Sequence, residues 1–204
     1  MNQVYKSRLP MRLVVICTFL LCAFPAEAHL NSTGMGPFYD GAMHLLISPE
    51  DIVPVLAMAM LAGLRGVAFG RRALFVLPAA WLVGGCLGLT TVSTGGNAIL
   101  AAAWFLVMGA LLAVDAKLSL RVTTALAAVL GLYHGYLNGS AMGQPGTGAV
   151  ALLGLIFTNF ALIALAAAFV VRLRAEWARI GVRVAGSWIA ASGLLMLGWA
   201  VRTA

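Results

Sequence analysis

Charged residues are scarce in this sequence. Lysine, arginine, aspartate and glutamate make up 9% of the 204 residues, whereas 62% of the residues are hydrophobic. Because soluble domains carry about a quarter charged residues, this composition excludes an ordinary water-soluble fold. The long apolar runs predict an all-α, polytopic membrane protein whose first partner is the lipid bilayer.

Acidic residues are scarcer than basic ones, six against thirteen, which gives a formal net charge of +7. The basic residues occur in short clusters between apolar runs, so we interpret them as topology signals and expect no nucleic-acid partner. The sequence also lacks a nucleotide-binding loop of the P-loop type. Any transport would therefore be driven by the membrane potential or a proton gradient.

Cysteine is also rare, with three residues in the chain. Cys17 and Cys22 lie in a segment that we expect to be removed, and Cys86 lies alone in an apolar run. No disulfide framework is possible in one mature chain, and we interpret Cys86 as a buried, inert thiol.

Residues 1–28 have the pattern of a secretory signal peptide. Basic residues precede an apolar run at 13–24, and the small-residue site Ala26-Glu27-Ala28 follows. Cleavage there would make His29 the mature N-terminus, where its free amine and imidazole could together hold a metal ion. An uncleaved anchor is the alternative. Residues 29–204 then form a single transmembrane domain.

Six membrane spans fit the mature chain at about 20 residues each. The predicted spans run from Phe38 to Leu64, Ala73 to Leu89, Asn97 to Val114, Val122 to Ala141, Thr147 to Val171 and Val184 to Val201. Glycines in the second and sixth spans, Gly84, Gly85, Gly88, Gly181, Gly186, Gly193 and Gly198, suit close helix packing.

The positive charges and the signal peptide predict the same topology. If the mature N-terminus is periplasmic, nine positive residues fall in cytoplasmic loops and Arg202 alone lies outside, as the positive-inside rule requires. The nine are Arg65, Arg71, Arg72, Lys117, Arg121, Arg172, Arg174, Arg179 and Arg183. We therefore expect a multi-pass inner-membrane protein with both mature termini in the periplasm.

The first span is unusual because Ser48-Pro49-Glu50-Asp51 has the features of a helix start within an apolar region. Ser48 suits the N-cap, Pro49 the first helical position, and the two acids the positive end of the helix dipole. We therefore expect the span to be broken at Ser48-Pro49, as at ion sites of transporters. The alternative is that Glu50 and Asp51 only cap a helix near the interface.

Two pairs of polar residues are spaced four apart along helices. Asp40 and His44 share a face of the first span, so the carboxylate could orient the imidazole. His134 and Asn138 share a face of the fourth span, at the depth of His44. This common depth predicts one metal site of Asp40, His44, Glu50, Asp51, His134 and Asn138. The alternative for His44 is a hydrogen bond close to the capping acids, and for His134 a hydrogen bond between helices.

Several segments together resemble the HupE/UreJ family. They are Phe38 to His44, Ser48-Pro49-Glu50-Asp51, Leu61-Ala62-Gly63-Leu64-Arg65-Gly66, and His134-Gly135 with Asn138-Gly139. The resemblance covers essentially the whole mature chain. It implies a small permease for nickel, or sometimes cobalt, that serves hydrogenase or urease maturation.

The chain departs from the better-known branch of that family, whose motifs are HPxxGxDH and HGxAHGxE. His44 matches the first histidine, but Glu50 stands for the aspartate and Asp51 for the second histidine. His134 matches again, whereas Asn138 replaces a histidine and Ala141 a glutamate. Carboxylate and amide oxygens shift metal preference toward harder ions, so the chain resembles a divergent branch.

Three function hypotheses follow. The first is a permease for a divalent metal ion, with nickel or cobalt as transported ion and no permanently bound cofactor. The second is a non-transporting accessory protein of a metalloenzyme maturation system. The third, an intramembrane hydrolase using His134 and Asn138, lacks a serine in a GxSG setting, because neither Ser93 nor Ser140 has one. We therefore expect no enzyme.

Overall fold

The computed structural model describes residues 33–91, 95–143 and 146–203, and within these ranges it contains seven α-helices and no strand. The all-α prediction is confirmed for this part of the chain. The predicted signal peptide and His29 lie outside the described residues. The helices are α1 (Pro37–Ile47), α2 (Pro49–Arg65), α3 (Val67–Gly88), α4 (Ala98–Ala113), α5 (Leu120–Ala141), α6 (Gly148–Val171) and α7 (Glu176–Thr203).

The predicted break in the first span is present. Helix α1 ends at Ile47, α2 begins at Pro49, and the two axes are bent by 73°. Ser48 between them has an extended backbone, but its side chain caps nothing. Its carbonyl oxygen instead accepts the N–H groups of Asp51 and Ile52. The helix start was therefore predicted correctly, while the capping role of the Ser48 hydroxyl was wrong.

Three helices, α3, α6 and α7, are long and apolar enough to cross a membrane, and the bent α1–α2 pair is a fourth candidate. Helix α4 is apolar but has only 16 residues. Helix α5 has 22 residues, but polar side chains such as His134 and Asn138 lower its hydropathy. The chain is thus membrane-like, while the count of six spans stays a prediction.

Two predicted loops are partly helical. Helix α3 starts at Val67, because Gly66 adopts φ +111° and lets the chain turn directly from α2 into α3. Left-handed backbone of this kind favours glycine. Helix α7 starts at Glu176, so Arg179 and Arg183 lie on a helix and not in a loop. The basic clusters at these two places therefore lie on helical turns.

Close helix pairs are built on glycine, namely α3 with α5, α4 with α7 and α1 with α6. A Cβ on Gly135 would collide with the backbone of Trp81, and one on Gly186 with the backbone of Ala113. The predicted packing role is therefore confirmed for five of the seven glycines named above, which are Gly84, Gly85, Gly88, Gly186 and Gly193. Gly181 and Gly198 have no described atom near the place where a Cβ would stand.

Cys86 was predicted to be buried, and the structure corrects this because the residue is exposed on the surface of α3. It precedes Leu87, which is also exposed. In a bilayer, an exposed apolar residue faces lipid and needs no water-excluded core. The residues around Cys86 are therefore apolar because they face lipid, and not because they are buried inside the protein.

Three arginines connect helix ends on the side of the molecule where α2 finishes. Arg65 Nη2 lies 2.7 Å from Asp115 Oδ1 in the connection between α4 and α5. Arg179 donates to the carbonyl of Leu64, and Arg183 to that of Ala113. Arg65 follows Asp51 by fourteen helical steps, about 21 Å along the helix. The polar residues of the predicted site and these arginines thus occupy opposite ends of α2.

Candidate functional site

Asp51 is the centre of the candidate site. It lies in the first turn of α2 and is only 3% exposed. Its Oδ1 is 2.8 Å from Nδ1 of His134 on α5. Because an ionised carboxylate only accepts hydrogen bonds, we assign the imidazole proton to Nδ1. A buried carboxylate thus joins the start of α2 to the middle of α5.

Asn138 holds the same carboxylate from the next turn of α5. Its Nδ2 lies 3.1 Å from each oxygen of Asp51 and 2.9 Å from the carbonyl oxygen of His134. These acceptors fix the amide with its nitrogen toward Asp51. The predicted pairing of His134 and Asn138 on one helix face is therefore present, and both residues bind the acid of the first span.

His44 approaches the cluster from α1. Its Nε2 lies 3.9 Å from Oδ2 of Asp51, which is beyond hydrogen-bond distance, and its side chain is 16% exposed. The bend at Ser48 brings α1 back toward α2, so that His44 faces the acid that begins α2. Asp51, His134, Asn138 and His44 therefore come together, as their common depth predicted.

Asp40 does not contact His44 as predicted. Its Oδ1 accepts hydrogen bonds from the backbone N–H and the hydroxyl of Thr33, upstream of α1. Because Asp40 lies in the first turn of α1, its carboxylate reaches back to the chain that enters the helix. The acid near His44 is Asp51, so the hypothesis that Asp40 orients His44 was wrong.

A cavity of about 590 Å³ adjoins the cluster. His44, Asp51, His134 and Asn138 line it, together with Glu50, which is exposed. The other lining residues are Gly95, Gly96, Asn97, Ala98, Ala101, Tyr133, Leu137, Ser140 and Ala141. Five of the six predicted site residues therefore surround one cavity, and Asp40 is not among its lining residues.

Aromatic rings enclose His134 on several sides. Trp81 of α3 stacks on the imidazole with ring centroids 5.5 Å apart, and Tyr133 meets it edge-on at 5.1 Å. Trp104 of α4 lies 6.0 Å away in a tilted orientation. These contacts limit rotation of the imidazole and keep water from its faces. Neither tryptophan could be predicted as part of the site, because no pattern within α3 or α4 relates them to α5.

Two acceptor atoms of the cluster are left without partners. With the Nδ1 proton and the Asn138 amide assigned as above, His134 Nε2 and Asn138 Oδ1 carry lone pairs. Both are buried, and neither has a hydrogen-bond partner in the described part of the protein. Buried polar atoms normally have a partner. A cation that accepts one nitrogen and one oxygen donor would supply it.

The described residues hold no group of three or more His, Cys, Asp or Glu side chains arranged for a metal ion. Both oxygens of Asp51 already accept hydrogen bonds, and His44 lies too far from Asp51 to bond it. Tight three-ligand coordination would need a movement of His44. As it stands, the arrangement suits a weakly held ion that keeps part of its water.

Comparison with known protein families identifies the family to which this chain is similar. The family model described as HupE / UreJ protein matches residues 17–196. No curated protein and no solved structure matches the chain.

Proposed function

We propose that this chain, which belongs to the HupE/UreJ family, is a membrane permease for a divalent transition-metal cation, nickel or cobalt, that supplies metalloenzyme maturation. Members of the family are nickel and cobalt transport or accessory proteins. The observation that carries the proposal is the buried cluster of Asp51, His134 and Asn138 beside a cavity. Ionisable groups placed among membrane helices are costly and therefore functional by default.

The proposed path begins at the cavity. Glu50 is exposed there and attracts a cation from solution, while the inner wall offers His134 Nε2 and Asn138 Oδ1. Asp51 acts through His134, since its hydrogen bond to Nδ1 keeps the Nε2 lone pair free and fixes the ring, as carboxylates do behind metal-binding histidines. His44 is the ligand that closes on the ion.

Onward movement requires a rearrangement of the helix pair α1–α2. At the far end of α2 the Arg65–Asp115 ion pair and the Arg179 contact to Leu64 tie the helix to its neighbours. The bend at Ser48 is the place where α1 and α2 can move relative to each other. A membrane potential of 100 mV contributes about 4.6 kcal/mol to the entry of a divalent ion.

The donor set bears on the choice of ion. Imidazole suits nickel, cobalt, copper and zinc, whereas carboxylate and amide oxygens also accept harder ions such as manganese. The cluster offers both kinds of donor, so we propose nickel or cobalt as cargo and manganese as the most informative competitor. We also propose the inner membrane as location, with both mature termini periplasmic.

An accessory protein that does not transport is the alternative. It is favoured by the hydrogen bonds of Asp51, which bind α2 to α5 and could serve the fold alone. Such a protein would hand metal to a partner, or stabilise it, without carrying a net flux.

Uptake of radiolabelled nickel or cobalt by cells that express the protein tests the proposal. We expect uptake above that of cells without the protein, and its loss in His44→Ala and His134→Ala. Lys117→Gln, which changes an exposed residue away from the cluster, should transport normally. Unaltered uptake in the His134 variant would remove the proposed site.

Flux into liposomes that contain only this protein separates the two functions. A permease accumulates ions in response to an imposed potential, whereas an accessory protein gives no flux even if it binds metal.

A further inference from the structure

The last two helices diverge and leave a cleft. Helix α6 packs on α1, α2 and α3, whereas α7 packs mainly on α4, although only residues 172–175 connect them. A cavity of about 630 Å³ lies between the end of α6 and the start of α7. Its wall includes Phe169, Val182 and Met60 of α2. The cleft is separate from the cavity beside Asp51, with which it shares no lining residue.

Two arginines of this cleft have no side-chain partner among the residues that the structure describes. Arg172 and Arg174 line it, are exposed, and make no side-chain hydrogen bond or ion pair with any described residue. The next arginines along the chain, Arg179 and Arg183, are bonded to backbone carbonyls. Glu176 is the single acid in the first turn of α7. The cleft is therefore apolar within and positively charged at the connection.

The exposed apolar side chains show what surrounds the cleft. Phe169 is 64% exposed and Trp177 78% exposed, and both line it. In a bilayer such side chains face acyl chains or, for tryptophan, the level of the headgroups. An apolar cleft that opens beside them is filled by hydrocarbon and not by water. Its volume falls within the range of about 300–1,000 Å³ that is usual for ligand pockets.

We propose that this cleft binds one anionic phospholipid, with an acyl chain against Phe169 and Val182 and the phosphate on Arg172 and Arg174. The guanidinium group matches the geometry of phosphate oxygens and bonds them with two parallel donors. Basic pockets between membrane helices hold anionic headgroups in this way. The proposal is independent of metal transport.

Native mass spectrometry of the full-length protein with added lipid tests this. Phosphatidylglycerol and phosphatidylcholine with the same acyl chains are titrated against the detergent-solubilised protein. We expect phosphatidylglycerol to bind about tenfold more tightly, and the preference to vanish in the double variant Arg172→Gln/Arg174→Gln. Equal binding of the two lipids by the unmodified protein would overturn the proposal.

Two further variants separate the cleft from net charge. Lys117→Gln/Arg121→Gln also removes two exposed positive charges, and it should leave the lipid preference unchanged. Ala185 lies in the apolar wall, so Ala185→Phe fills part of the cleft while both arginines remain. This variant should weaken binding of both lipids severalfold. Loss of preference in the control, or full binding by Ala185→Phe, would show that no cleft site exists. If soluble glycerophosphate bound as tightly as the lipid, the cleft would be a site for free phosphate and not for a phospholipid.

Discussion

At the scale of single residues, Asp51 determines how the site is arranged. It is adjacent to Glu50, yet the two acids have different surroundings because successive helical residues point about 100° apart. Asp51 is buried against α5, and Glu50 is exposed at the cavity. The first therefore orients imidazole and amide groups, and the second meets ions from solution.

Replacement of Asp51 by asparagine should destabilise the protein. The amide removes the charge that His134 Nδ1 and Asn138 Nδ2 bind, and it places an N–H₂ group among donors. We expect a loss of about 1–3 kcal/mol in stability, measured as a lower midpoint of thermal unfolding in detergent at a fixed heating rate.

The matched control is Glu50→Gln, which removes the neighbouring negative charge from an exposed position. Its unfolding midpoint should equal that of the unmodified protein. Identical midpoints for both variants would mean that the Asp51 hydrogen bonds contribute nothing to stability.

The sequence could predict part of this site from residue spacing. A separation of four residues places His134 and Asn138 on one face of α5, and the common depth relates them to His44. The partner of each group was beyond prediction, because it depends on how far α2 slides and rotates against α5. Spacing relates residues of one helix only, which is why it suggested Asp40 as the partner of His44 and gave no connection between His134 and Trp81 or Trp104.

At the scale of helices, glycine sets the distance between α3 and α5. The helices approach so closely that a Cβ on Gly135 would overlap the carbonyl group of Trp81, whose ring stacks on His134. Gly135→Ala should force the pair apart and cost about 1–3 kcal/mol, seen as a lower thermal midpoint.

Gly198→Ala is its control in α7. No described atom lies within 4 Å of the added Cβ, so the better helix propensity of alanine should leave stability unchanged or raise it by up to about 1 kcal/mol. A larger loss for Gly198→Ala than for Gly135→Ala would contradict the packing described here.

The ion pair at the far end of α2 should hold the connection between α4 and α5. Asp115 has φ +48°, which asparagine also tolerates, so Asp115→Asn removes the charge and keeps the backbone. The side chains of Arg65 and Asp115 are 14% and 23% exposed. We therefore expect the free energy of unfolding to fall by about 1–2 kcal/mol, a value between those of exposed and of buried ion pairs.

Faster hydrogen exchange in residues 114–119 is the measurement for this pair. Arg65→Gln should give the same increase, and the double variant should exchange no faster than either single one, because one interaction is lost in all three. Lys117→Gln should exchange normally. Unchanged exchange in Asp115→Asn would show that the ion pair does not hold the segment.

Helix existence was easier to predict than helix ends. Pro49 after Ser48 predicted the break, since a proline suits the first helical turn and disfavours a helical residue before it. The early starts of α3 and α7 were not predicted, because charged residues on a terminal turn look the same in a sequence as charged residues in a loop.

At the scale of the whole molecule, the separation of charges predicts an orientation. Arg65, Arg179 and Arg183 gather at one end of the protein, about 21 Å along α2 from Asp51. If that end is cytoplasmic, alkaline phosphatase fused after Lys117 should be inactive and the same enzyme fused after Thr203 active. The opposite pattern of activity would show that the topology is inverted. If the signal peptide is cleaved as predicted, N-terminal sequencing of the mature protein should give His29 as the first residue.

The overall architecture could be predicted because a membrane restricts the choices. Apolar composition leaves helices as the natural solution, and this agrees with the described ranges. The number of spans could not be fixed in the same way. The 16-residue α4 and the polar face of α5 each fall short of what length and hydropathy alone require.

The proposed function requires that His134 and Asn138, held by Asp51, bind a divalent cation. Titration calorimetry of the purified full-length protein with nickel or cobalt measures this directly, with His134→Ala as the variant. We expect one ion per chain, and an affinity lower by about tenfold or more in His134→Ala. Equal affinity in both proteins, or no binding by the unmodified protein, would show that this cluster is not the metal site.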